Sequence, residues 1–188
     1  DMVISQADGA YLQHLMHYTR SLESRNRMLR SGIRDALLYE SVEQPLCQAA
    51  AAIHSVRRQW AEALAPIFSR YHRALSAGAD DVAIRYRSAL NDAAMPEILE
   101  SHRQRDAILG YTSQGVHRDD LEAMLGDHPL RGIGSQGQLK TFTVALKLAV
   151  FDYLRQARGE TPILLLDDIF DKLDASRVEH ILSVVGPD

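Results

Sequence analysis

Apolar residues recur every three or four positions from Tyr11 to Leu29, as Leu12, Leu15, Met16, Tyr18, Leu22, Met28 and Leu29, with polar residues between them. This period predicts an amphipathic helix that stops at Ser31-Gly32. A second run begins at Val42 or Pro45 and reaches about Leu75, with Leu46, Ala49, Ala50, Ile53, Val56, Trp60, Leu64, Ile67, Phe68, Tyr71 and Leu75 marking one face. Helices of this length packed antiparallel make an arm, with Pro66 expected to kink or interrupt the run. Trp60 lies on the apolar stripe and is assigned to the core rather than to a stacking platform. Ala77-Gly78-Ala79-Asp80-Asp81 reads as a turn, and Val82 to Tyr86 alternates as a strand does. A further helix is expected from Ala93 to Leu109, with Pro96 near its start, where proline is tolerated.

In the last third, Leu139, Phe142, Leu146, Ala149, Val150 and Tyr153 form a helical stripe that ends near Arg158-Gly159. Just ahead of it stands Gly134-Ser135-Gln136-Gly137-Gln138. A helix start with a hydroxyl, free N–H groups and a glycine suits phosphate oxygens. The same serine also serves as an ordinary N-cap, and the residues alone leave both readings open. After Pro162, the aliphatic run Ile163-Leu164-Leu165-Leu166 predicts a strand buried on both faces that delivers Asp167-Asp168 at its exit. Adjacent carboxylates there either hold a magnesium ion and an attacking water or cap the next turn.

Arg20, Arg25, Arg27 and Arg30 stud the first helix and read as a solvated basic face. His117-Arg118-Asp119-Asp120 offers metal-ligating residue types, but neighbours in an extended chain point to opposite faces. A structural polar network near the Ser135 turn is therefore preferred for these four residues over direct nucleotide or DNA contact. His14 and His17 lie three apart without further ligands to complete a zinc set.

Taken together, Ser135-Gln136-Gly137-Gln138, Val144-Ala145-Leu146-Lys147-Leu148-Ala149 and Leu164-Leu165-Leu166-Asp167-Asp168-Ile169-Phe170-Asp171-Lys172-Leu173-Asp174 resemble the signature, Walker B and D-loop of ABC ATPases. The wording is most similar to the RecF family, in the SMC-like branch. Two other stretches resemble that family: Tyr11-Leu12 with Ser24-Arg25-Asn26-Arg27-Met28-Leu29, and Gly110 to Leu121, where Val116 replaces the usual proline.

The resemblance implies an α/β fold, an ABC-type signature and Walker B lobe with an inserted all-helical arm, the N-terminal Walker A lobe being absent. Residues 1–79 would be the arm and 80–188 the C-terminal part of the head. It implies ATP and Mg²⁺ as cofactors, with Ser135, Gln136, Gly137 and Gln138 meeting the γ-phosphate held by a second subunit and Asp174 at that interface. Asp167 would assist the metal and Asp168 would orient water. It further implies an ATP-dependent homodimer on gapped or double-stranded DNA, recombination mediators of RecR or RecO type as partners, and a role in recombination, replication, repair and the SOS response.

The chain opens on Asp1 and contains no Gly-x-x-x-x-Gly-Lys-Ser/Thr loop, so it is expected to be a C-terminal fragment, inactive alone as an ATPase. Composition changes this picture little. A formal net charge of −4 argues against a uniformly basic nucleic-acid binder, although a local basic stripe is compatible with it. Cys47 is the single cysteine, which forbids an intrachain disulfide and favours a cytoplasmic setting. No apolar run is long enough to span a bilayer. The competing reading is a non-catalytic helical interaction module whose acids only cap turns.

Overall fold

The computed structural model describes residues 1–78 and 80–164. The described residues are mostly helical, with one small sheet. A short helix α1 (Met2–Ala7) precedes α2 (Gly9–Arg30), whose start is capped by the Asp8 carboxylate accepting from the Ala10 and Tyr11 N–H groups. Helix α2 closes at Ser31-Gly32, where Gly32 adopts a positive φ of 66°. Sequence periodicity located α2 and α4 (Met95–Leu109) well; α1 has too few turns to leave a periodic trace.

Helix α3 (Ala36–Ser76) is one uninterrupted element of 41 residues. The expected break at Pro66 does not occur, and Pro45 is also accommodated within the helix. Both prolines are exposed, as are Ser41 and Glu62, whose carbonyls lose their helical donors; water can satisfy those oxygens. Strand β1 (Val82–Arg87) follows, with burial that alternates along it. Strand β2 (Asp120–Leu125) lies beside β1 and pairs antiparallel with β3 (His128–Pro129), Leu125 opposite His128. This hairpin went unread in the sequence, although Gly126-Asp127 is a two-residue turn with Gly126 at φ 57°. A distorted turn, α5 (Leu130–Ile133), leads into α6 (Gln136–Arg158), which closes on Gly159 in the left-handed region.

The chain forms two compact units that interleave along the sequence: residues 1–60 with 86–121, and residues 61–85 with 122 onward. The first unit is built on Ile4, Tyr11, Tyr18, Leu46, Ala49, Ala50, Ile53, Met95, Leu99 and Val116, with Trp60 packed partly buried against them. In the second, Leu64, Phe68, Tyr71 and Leu75 of α3 are buried, and Phe68 meets the Phe142 ring at 5.1 Å between centroids.

The buried face of α6 differs from the predicted stripe. Thr141, Val144, Ala145, Leu148, Ala149, Asp152 and Leu154 are the buried residues, whereas Leu139 is exposed and Phe142 half-buried. Two polar residues on that face conceal it from a hydrophobic count. Asp152 is buried because Arg70 and Arg155 both donate to it. Burial pushes its carboxyl upward, and the hydrogen bonds from Arg70 and Gln156 with the Arg155 charge hold it below the ordinary carboxylate value.

Candidate functional site

The start of α6 is a complete capping box. Ser135 precedes the first helical residue in extended conformation, and its Oγ accepts from the Gln138 N–H at 3.2 Å. The Gln138 Oε1 accepts in return from the Ser135 N–H at 2.8 Å, and the Leu139 N–H donates to the Ser135 carbonyl at 3.0 Å. The Gln138 Nε2 donates to Asp80 Oδ1 at 2.8 Å.

The capping use of Ser135 therefore consumes a lone pair and leaves its hydroxyl hydrogen available as a donor. At the first two helical positions, Gln136 and Gly137, helix geometry provides no intrahelical acceptor for the N–H groups. Ser135, Gln136 and Gly137 are all exposed, so solvent reaches this turn at the positive end of a 23-residue helix. Among the described residues, an added Cβ at Gly137 would meet only Ser135 Oγ, at 3.8 Å. Gly134 is different, since a Cβ there would lie 2.9 Å from the Leu130 carbonyl oxygen, and α5 could not close against the turn.

The phosphate-type and capping readings of Ser135 are thus compatible in one geometry. Four of the residues expected at the site, Ser135, Gln136, Gly137 and Gln138, are consecutive in sequence and form the start of α6. Asp167, Asp168 and Asp174 lie outside the described residues, as does the end of the expected strand; Ile163 and Leu164 are irregular.

In the first unit, the stretches flagged by resemblance are tied together by buried polar groups. Arg25 does not belong to a solvated basic face: it is fully buried, while Arg20, Arg27 and Arg30 are exposed. Its guanidinium donates to Glu43 Oε1 at 2.8 Å, Asp106 Oδ2 at 2.8 Å and Thr112 Oγ1 at 2.7 Å. The neighbouring Asn26 Oδ1 accepts from both the N–H and the hydroxyl of Thr112, at 2.8 Å each. Charge pairing with Asp106 overrides the helical pattern that placed Arg25 among surface arginines. The partners are 81 and 87 positions away, so no local signal could name them.

Of His117–Asp120, His117 and Asp119 take part in a polar network within this unit. The chain is not extended there: Val116–Arg118 is a turn of 3-10 helix. His117 Nε2 lies 3.0 Å from the Thr112 carbonyl, so it carries the proton, and Nδ1 accepts the Tyr18 hydroxyl at 2.7 Å. Burial lowers the His117 pKa, outweighing the Thr112 carbonyl, which favours the charged ring. Asp119 Oδ2 accepts from Arg57 at 2.7 Å and from the Tyr86 hydroxyl at 2.5 Å. Arg57 also donates to the Val116 carbonyl at 2.5 Å and to Tyr11 at 2.9 Å.

Among the described residues, no group of three or more His, Cys, Asp and Glu is placed to hold a metal ion, and no helix is long and apolar enough to cross a membrane. Burial pushes the Cys47 thiol up to about 11, so it is a poor nucleophile at neutral pH.

No family model matches the chain. Curated relatives do. The DNA replication and repair protein RecF of Parabacteroides distasonis is 45% identical over 186 residues, covering 99% of this chain and 51% of that protein. RecF of Bacteroides thetaiotaomicron is 43% identical over 189 residues, again covering 51% of its length. The chain thus spans about half the length of the curated relatives it matches. Among solved structures, the recombination mediator protein RecF with ATP, described as part of the RecFOR pathway, superimposes with a TM-score of 0.85 at 29% identity, over 96% of this chain and 52% of that one. A RecF structure with ATPrS gives the same TM-score at 28% identity. With sequence similarity running end to end and the same fold beneath it, the chain is similar to RecF proteins over the half of those relatives that it spans.

Proposed function

We propose that this chain is the signature-bearing part of an ATP-dependent DNA-binding protein of recombination and repair, in which the α6 start meets the γ-phosphate of a nucleotide held by a second subunit. The observation that carries the reading is the exposed Ser135 turn at the N-terminus of α6, closed by a capping box that leaves the Ser135 hydroxyl able to donate. A ligand that bridges two copies and is present only in the closed dimer drives the monomer–dimer equilibrium toward closure by mass action. The solved RecF structures with ATP and ATPrS support the choice of nucleotide.

In this reading Asp167 assists Mg²⁺, Asp168 orients the attacking water and Asp174 lies at the dimer interface; these roles rest on the family resemblance. The acid at 168 is an Asp, shorter than the Glu of many relatives, which suits slow turnover. The dimer would close on gapped or double-stranded DNA through phosphate-directed Lys and Arg side chains, with steep salt dependence and no base readout. Partners would be mediators of RecR or RecO type, in the cytoplasm. Residues 1–79 would act as the helical arm and 80–188 as part of the ATPase head.

The test uses the full-length gene product. Ser135→Arg is expected to abolish ATP-driven dimerisation, read by sedimentation, while ATP binding by the monomer is retained. Normal dimers from this variant refute the role in trans. Asp168→Asn is expected to remove DNA-stimulated ATPase activity.

A further inference from the structure

We infer that Asp80 is a positioning residue for the Ser135 turn: its carboxylate selects the one orientation of the Gln138 amide that completes the capping box. The inference rests on the nucleotide reading proposed above and names a residue outside the signature segment on which that site depends.

A glutamine side chain at the third helical position has two nearly isosteric ends. Only with Oε1 toward Ser135 can it accept the Ser135 N–H; turned over, it would present an NH₂ group to another donor. The capping box by itself therefore leaves the glutamine stabilised by one hydrogen bond at one end. Asp80 closes the other end, its Oδ1 2.8 Å from Gln138 Nε2. An ionised carboxylate accepts and cannot donate, so it pairs with the nitrogen end and repels the oxygen end. Turning the amide over would cost both hydrogen bonds at once.

Both Asp80 and Gln138 are partly buried, which shields the charge-assisted bond from competing water. Asp80 sits between the Ala77-Gly78 turn after α3, where φ is 51° and 74°, and β1. The next residue, Asp81, is anchored through its carbonyl, which accepts from the Gly126 N–H at 2.9 Å. Asp80 thus lies next to an anchored point of the backbone. Through Gln138 it determines where the Ser135 N–H, and with it the Ser135 hydroxyl, is held. Preorganised donors lose effect when their supporting shell loosens, even if they remain present.

The experiment uses the full-length protein with Asp80→Leu, Asp80→Asn and Ser135→Arg. ATP affinity of the monomer and ATP-dependent dimerisation are measured together, with amide hydrogen exchange at Ser135 and Gln138. Asp80→Leu, close in size and unable to accept, is expected to weaken dimerisation about tenfold, the effect of losing one hydrogen bond, with monomer ATP affinity unchanged and exchange at both amides accelerated. Asp80→Asn keeps an acceptor but can also donate, and is expected to fall between Asp80→Leu and the native protein.

Native-like dimerisation by Asp80→Leu, in a background where Ser135→Arg fails to dimerise, overturns the inference. Loss of monomer ATP affinity in Asp80→Leu also overturns it, since that would make Asp80 a general structural residue. Should Ser135→Arg itself dimerise normally, the nucleotide reading fails, and amide exchange decides the remaining point: acceleration supports the positioning role and native protection ends it.

Discussion

Replacing Arg25 by methionine removes the cation from a buried site. The native guanidinium is fully buried, and so is the Asp106 carboxylate it contacts; Glu43 is only 13% exposed. Methionine preserves most of the side-chain volume, so the cavity term is small and the electrostatic one dominates. Asp106 would keep one donor, the Ser113 N–H at 2.9 Å, and lose its counter-ion. Removing one member of a buried ion pair costs about 3–5 kcal/mol because the remaining charge is left uncompensated. Against a typical stability of about 5–15 kcal/mol this is a large fraction.

Denaturant unfolding followed by the emission of Trp60, the one tryptophan in the chain, reports on the unit that contains Arg25. If the cost comes from the stranded carboxylate, Arg25→Met combined with Asp106→Asn recovers part of the loss, since asparagine is neutral and can still accept from Ser113. A loss below about 1 kcal/mol for Arg25→Met, or a double variant no more stable than the single one, would refute the argument that buried charge compensation holds the Gly110–Ser113 stretch against α2.

Two other outcomes follow from the same unit. The folded His117 ring binds a proton less readily than the unfolded one, whose pKa is about 6.5, so its contribution to stability is complete above that pH and declines as pH falls below it. Trp60-detected stability is expected to drop by at most about 1.4 kcal/mol per pH unit there, and His117→Asn should flatten the slope; an unchanged slope would exclude His117 as its source. Gly115→Ala puts a Cβ 2.7 Å from Tyr18 Oη and 2.8 Å from Met95 Cε at a φ of 137°, and Tyr18 is held by His117. Strain and overpacking together predict a loss of at least about 2 kcal/mol by thermal unfolding; a variant as stable as the native protein would contradict the observed packing.

What the sequence determined by itself was local in origin. Helical period located α2, α4 and most of α3, alternation located β1, and Ser135 was legible as an N-cap, because each of these depends on residues within a few positions. Continuity through Pro66 depended on the proline facing solvent, which is a tertiary fact. The same is true of the true buried face of α6, where Asp152 is hidden by arginines from another helix and from its own next turn. Arg25 and Asp80 illustrate the limit most clearly. An arginine among exposed arginines and an aspartate in a turn carry no mark of their partners, 81 and 58 positions away, until packing brings them within hydrogen-bond distance and burial makes the pairing obligatory.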